Sequence, residues 1–94
     1  MPVFAVLYDY AEGSTEARNQ HRPAHRAFLD SLTGPVTILA TGPWADEPAG
    51  ALLVIDGESA QDVASKMDED PFHVAQVISH RSIRAWTQVK GPWS

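Results

Sequence analysis

The chain contains no cysteine among its 94 residues. That excludes disulfides, thiolate metal sites and a cysteine nucleophile, and nothing points to an oxidising compartment. No apolar run approaches the roughly 20 residues of a membrane helix. Met1-Pro2-Val3-Phe4 lacks the basic region of a secretory leader, so a cytoplasmic location is expected. Cations are few, 7 Lys and Arg against 12 Asp and Glu, for a net charge of -5. Nucleic acid is thereby disfavoured as a partner, because phosphate binding needs clustered basic residues. A glycine-rich phosphate loop, a nucleophilic serine motif and a dinucleotide fingerprint are also missing, and no cofactor is expected.

What is present is an ordinary composition, 44% apolar and 20% charged, with three of the arginines, Arg18, Arg22 and Arg26, in one short stretch. Locally these could attract a small anion. A length of 94 residues allows one domain, 1–94. Such a chain buries roughly 60–65% of its unfolded surface, so its own core is modest.

The elements read strand, helix, strand, strand, helix, strand. Val3 to Tyr10 is rich in β-branched and aromatic residues and predicts a strand. Ser14 or Thr15 caps a short helical turn through Gln20. Pro23 then opens the first main helix, which runs to Leu32 and stops at Gly34-Pro35. Val36–Thr41 and Ala51–Ile55 are the next strands, joined by a connection rich in proline and glycine. Ser59 caps a second helix, with Asp62 in the capping-box position and Ala60, Val63, Ala64 and Met67 on its inner stripe. Asp70 and Pro71 start a short helical segment over 72–77, and Ser82–Val89 is the last strand. The tail from Lys90 to Ser94 shows no clear structure.

This order is the α+β, ferredoxin-like βαββαβ plan, a four-stranded antiparallel sheet with two helices on one face. The first strand is apolar on both sides, with Val3, Ala5 and Leu7 on one and Phe4, Val6 and Tyr8 on the other. An antiparallel sheet with one wet face should alternate instead. A homodimer with stacked sheets solves this, and Phe4, Val6 and Trp86 are expected near that second face.

One histidine stands out. With Pro23 as the first helical residue, His25, Phe28, Leu29 and Leu32 share the inward face. An imidazole there can move a proton at neutral pH, or can be a core-edge histidine bonded to a carbonyl. His21 and His25 have the i, i+4 spacing of a metal pair. Pro23 lies between them and no third ligand follows at recognisable spacing, so no metal is expected. Thr41-Gly42-Pro43 ends a strand with a glycine that lets backbone approach a ligand. Trp44 and Phe72 are candidate walls of an apolar pocket. Tyr8 can donate a hydrogen bond or pack at the dimer interface.

The segments His21–Leu29, Thr41-Gly42-Pro43, Gly50–Leu53 and Met67–Phe72 resemble the YciI-like proteins of the dimeric α-β barrel superfamily. The resemblance runs from the first strand to Trp86. Its most specific parts are Arg22-Pro23-Ala24-His25 and Asp70-Pro71-Phe72. It implies a pocket between helices and sheet lined by His25 and Asp70. One related branch removes chloride from a hydroxylated aromatic compound, while most members have no known reaction.

A carboxylate bonded to one imidazole nitrogen fixes the tautomer and frees the other. Asp70 can equally be a simple helix cap, or serve both roles. The resulting expectation is a small cofactor-independent enzyme acting on an organic acid, lactone or phenolic compound by isomerisation or elimination. His25 and Asp70 form its dyad, and Arg22, Gly42, Tyr8 and Phe72 contact the substrate. The alternatives are a non-catalytic small-molecule binder and a cofactor-free monooxygenase.

Overall fold

A computed structural model describes residues 2–93. Its order is β1 (Val3–Tyr10), α1 (Thr15–Asp30), β2 (Thr37–Pro43), β3 (Gly50–Asp56), α2 (Ala60–Met67), α3 (Pro71–Val74) and β4 (Ile78–Ala85). The four strands pair antiparallel in the order β2-β3-β1-β4, the ferredoxin-like arrangement. β1 is central, and its alternate residues Phe4, Val6 and Tyr8 are buried beneath the helices with Leu53 and Ile55 of β3. Leu29, Leu32, Val63 and Met67 close the core from the helix side. Among the described residues no helix is long and apolar enough to cross a membrane.

Three features depart from the sequence reading. The first concerns the helix expected to begin at Pro23. It begins eight residues earlier and is continuous through that proline. Its inward stripe passes Ser14, Ala17, His21, His25 and Leu29, whereas Pro23 is exposed. A proline on the solvent side removes one backbone bond, to the Asn19 carbonyl, without pushing its ring into the core. Ser14 sits at the N-cap, yet its hydroxyl accepts from Arg18 Nε at 3.0 Å and makes no capping bond.

The last strand differs too. It starts at Ile78 and ends at Ala85, four residues ahead of the expected span at each end. The helix before it is shorter than expected, because Gln76 takes the left-handed conformation at φ 60° and turns the chain. Ile78 then pairs with Tyr10, and the ladder ends where Trp86 N–H donates to the Val3 carbonyl.

The third correction is to the faces of β1. Phe4 and Val6, expected at the second face, lie under the helices. Val3, Ala5 and Leu7 occupy the open face, with Leu52 and Val54 as β3 partners of Leu7 and Ala5. Trp86 does reach that face, beside Ala5, Leu52 and Val54. Trp44, expected as a pocket wall, lies against Gly50 and lines the open side near Leu52 and Val54. A Cβ at Gly50 would stand 2.3 Å from the Tyr8 carbonyl oxygen and 2.8 Å from the Trp44 ring, so only glycine fits there.

The continuous helix has a measurable consequence. Pro23→Ala restores a backbone bond on an exposed helical turn and should raise the unfolding free energy by up to about 3 kcal/mol in urea denaturation. A neutral or destabilising result would mean that the helix begins at Pro23 instead.

Candidate active site

The site is assembled where β1, α1 and the start of α3 meet. Asp70 precedes Pro71, which has no N–H to offer, so the first free backbone donor of α3 belongs to Phe72. Asp70 Oδ1 accepts that N–H at 2.9 Å. The same oxygen lies 2.7 Å from His25 Nδ1, which reaches it from the inner face of α1. Oδ2 accepts from the Tyr8 hydroxyl on β1 at 2.8 Å. Asp70 is completely buried. An ionised carboxylate only accepts, and three donors converge on its two oxygens. Nδ1 therefore carries the imidazole proton, and Nε2 is the nitrogen left with a lone pair. The His25 ring is held flat against Phe72, centroids 3.9 Å apart and planes within 1°. One residue thus ties down both members of the pair, by its backbone N–H and by its ring.

His25 lies at the edge of a cavity of about 200 Å³ between α1 and the β2–β3 side of the sheet. Its apolar wall is Leu29, Pro43, Ala51 and Phe72. Its polar wall is Thr41 and Gly42 at the end of β2, facing Arg18, Arg22 and Arg26 on α1. Tyr10 closes one end, with the Arg18 guanidinium 4.6 Å above its ring and Phe72 edge-on at 5.7 Å.

Of the expected substrate contacts, Arg22, Gly42 and Phe72 stand on this cavity. Tyr8 is not among the residues lining it. It lies fully buried behind Asp70, where its hydroxyl can reach the carboxylate but no ligand. Tyr10 lines the cavity without having been singled out from the sequence, while Arg18, Arg22 and Arg26, read there as a stretch that could attract a small anion, all stand on it. Among the described residues no group of three or more metal-ligating side chains gathers around His21 or elsewhere.

Burial is the main cause that holds the Tyr8 hydroxyl far above its ordinary range. The Asp70 charge and the hydrogen bond to it act in the same direction, and the Arg81 charge opposes them. Tyr10 is raised too, again chiefly by burial, with the Arg18 charge working against it.

The YCII-related domain model matches residues 2–87. The chain belongs to the YCII-related domain family. No curated protein matches it. Among solved structures, 5-chloro-2-hydroxyhydroquinone dehydrochlorinase (TftG) from Burkholderia phenoliruptrix, in complex with 2,5-dihydroxybenzoquinone, is 25% identical with a TM-score of 0.80, covering 90% of this chain and 93% of that one. A Nitrosomonas europaea protein whose proposed activity is that of an antibiotic biosynthesis monooxygenase is 16% identical with a TM-score of 0.60, over 96% of this chain and 100% of that one. At that identity the likeness is one of fold. The fold of this YCII-related domain is that of the dimeric α-β barrel superfamily.

The two tyrosines supply a spectroscopic check on the buried network. Their folded pKa values lie above the unfolded value of about 10. The unfolded chain therefore releases these protons first. Their contribution to stability is intact below that pH and is lost as the pH rises above it. Tyrosinate absorbance of the folded protein should lag behind that of free tyrosine as the pH rises through about 10, with the Tyr8 share appearing only on unfolding. A normal titration of both rings in folded protein would contradict the Tyr8–Asp70 bond.

Proposed function

We propose that this chain is a cytoplasmic, cofactor-independent enzyme of one domain, 1–94, that works as a homodimer. His25 is its general acid and base, and Asp70 its orienter. The substrate class is a small organic acid, lactone or phenolic compound, and the reaction an isomerisation or an elimination. The observation that carries this reading is the direct 2.7 Å contact between His25 and a fully buried Asp70 at the edge of a ligand-sized cavity.

With Nδ1–H directed to Asp70, Nε2 accepts a proton from a carbon or hydroxyl acid in the cavity. The developing imidazolium is stabilised by the carboxylate beneath it. In an elimination the released electron pair forms the new π bond, and a halide departs with the pair of its bond to carbon. The net loss is one molecule of hydrogen halide. In an isomerisation the same nitrogen returns the proton to a different carbon. Both are proton transfers without electron loss, which is why no redox cofactor enters. Arg22 and the backbone at Gly42 hold the oxygen that gains charge, and Phe72 forms the ring's apolar wall. Tyr8 acts through Asp70 by holding the second carboxylate oxygen. The likeness to a dehydrochlorinase at 25% identity supports the elimination branch.

The dimer reading rests on the open face of the sheet. Val3, Ala5, Leu7, Leu52 and Val54 form an apolar surface on the side opposite the buried β1 residues, with the half-exposed Trp86 at its edge. A second copy stacked on that face removes this surface from water.

Two measurements decide. Hydroxylated chloroquinols, keto acids and lactones can be incubated with the protein in D2O and followed by NMR for deuterium wash-in and by chloride release. His25→Ala should reduce turnover about 100- to 10,000-fold in protein that circular dichroism shows still folded, although it unfolds at lower urea than the wild type. Undiminished turnover in that variant ends the proposed role of His25, and inactivity of the wild type across the panel favours a binding protein. Sedimentation should give a dimer at micromolar concentration, and Leu52→Asp should shift it toward monomer. A wild-type monomer would overturn the stacked-sheet reading.

A further inference from the structure

The chain is acidic, yet among the described residues no acidic one lines the cavity and three arginines do. Arg18, Arg22 and Arg26 succeed one another every four residues along α1, so their side chains stand in a row. None of them enters an ion pair among the described residues. Like charges at this spacing destabilise a helix. The row therefore costs the fold stability, and no ion pair among the described residues offsets it.

The three arginines are not equally available. Arg18 is committed to the wall, with Nε on Ser14, Nη2 on Thr15 and its plane over Tyr10. Arg22 gives one nitrogen to the Asn19 side chain and keeps the rest. Arg26 has no hydrogen-bond partner among the described residues. The free donors thus belong to Arg22 and Arg26, on the same wall as His25. The lining also includes the apolar wall of Leu29, Pro43, Ala51 and Phe72. A cavity that holds one benzene measures about 150 Å³, and this one is about 200 Å³. A single substituted ring fills it.

We infer that the cavity selects a single planar ring bearing an anionic pair of oxygens, as a carboxylate or as adjacent enolate and carbonyl. Arg22 and Arg26 grip the oxygen pair, the ring lies along Phe72 and Leu29, and neutral analogues such as lactones are discriminated against. A guanidinium matches two oxygens in a plane better than it matches a point charge, and the apolar wall disfavours bare inorganic anions. The inference deepens the proton-transfer reading and rests on it for the location of the reacting atom, but binding can be measured without turnover.

The test is an NMR titration of isotopically labelled protein with benzoate, its neutral isostere benzamide, 2,5-dihydroxybenzoquinone and inorganic phosphate. Benzoate and the quinone should shift the Gly42 and Phe72 amides and bind about 10-fold or more tightly than benzamide. Arg22→Gln and Arg26→Gln should each weaken benzoate by about 10-fold and leave benzamide unchanged. Lys90→Gln, which removes an exposed charge outside the cavity lining, should have no comparable effect. Added salt should weaken benzoate and not benzamide. Equal binding of benzoate and benzamide, indifference to both arginine substitutions, or tighter binding of phosphate than of benzoate would each overturn the inference. Titrating His25→Gln in parallel separates the two readings. Benzoate selectivity in a protein that turns nothing over supports the anion pocket and removes the enzyme. His25-dependent turnover of neutral rings with no preference for benzoate removes the pocket and keeps the enzyme.

Discussion

The buried carboxylate of Asp70 is the constraint on which the rest of the structure depends. An ionised carboxylate without solvent is tolerated only when its oxygens are fully engaged. Here the engagement comes from three places in the chain, the Tyr8 hydroxyl, His25 Nδ1 and the Phe72 N–H. Withdrawing one partner from a buried pair costs about 3–5 kcal/mol, a large share of the roughly 5–15 kcal/mol that holds a typical domain together. Satisfying Asp70 therefore locks α1 against β1 and α3. The orientation of the imidazole is a by-product of that requirement. A helix cap, a core tyrosine and a histidine are joined at one atom group, so stability and proton chemistry share a single network.

The costs of the fold gather on the helix that carries the histidine. α1 contains a proline in its interior and a row of three arginines that enter no ion pair among the described residues. Both features work against an isolated helix. Neither occurs on α2, whose Ser59 cap and Asp62 in the first turn follow the ordinary rules. Local rules broken on one element and kept on its neighbour mark the element whose sequence answers to something other than folding.

The two faces of the sheet have separate tasks. One carries the core and supports the cavity through Ala51 and the end of β2. The other is the apolar surface of Val3, Ala5, Leu7, Leu52 and Val54. Gly50 sits where these tasks meet, since the Tyr8 carbonyl and the Trp44 ring both approach it too closely for a side chain. A substitution there would disturb the strand that supports the Tyr8–Asp70 bond and the surface around Trp44 together.

Sequence patterns alone determined the order of the elements, the antiparallel plan and the inward position of His25, because periodicity and capping are local properties. Asp70-Pro71 was legible as a cap for the same reason. Resemblance to a family, and not spacing, suggested that His25 and Asp70 meet across 45 positions. The extent of α1 was misread because proline is a strong local signal, while its tolerance depends on which side of the helix faces water. The faces of β1 were misassigned because both are apolar, so no alternation marks the side the helices cover. Tertiary structure alone decided that Tyr8 serves Asp70 and not the cavity, since a bond across 62 positions leaves no trace in local pattern. It alone also brought Tyr10, Thr41 and three arginines around one space, because a cavity is formed by what packing leaves unfilled.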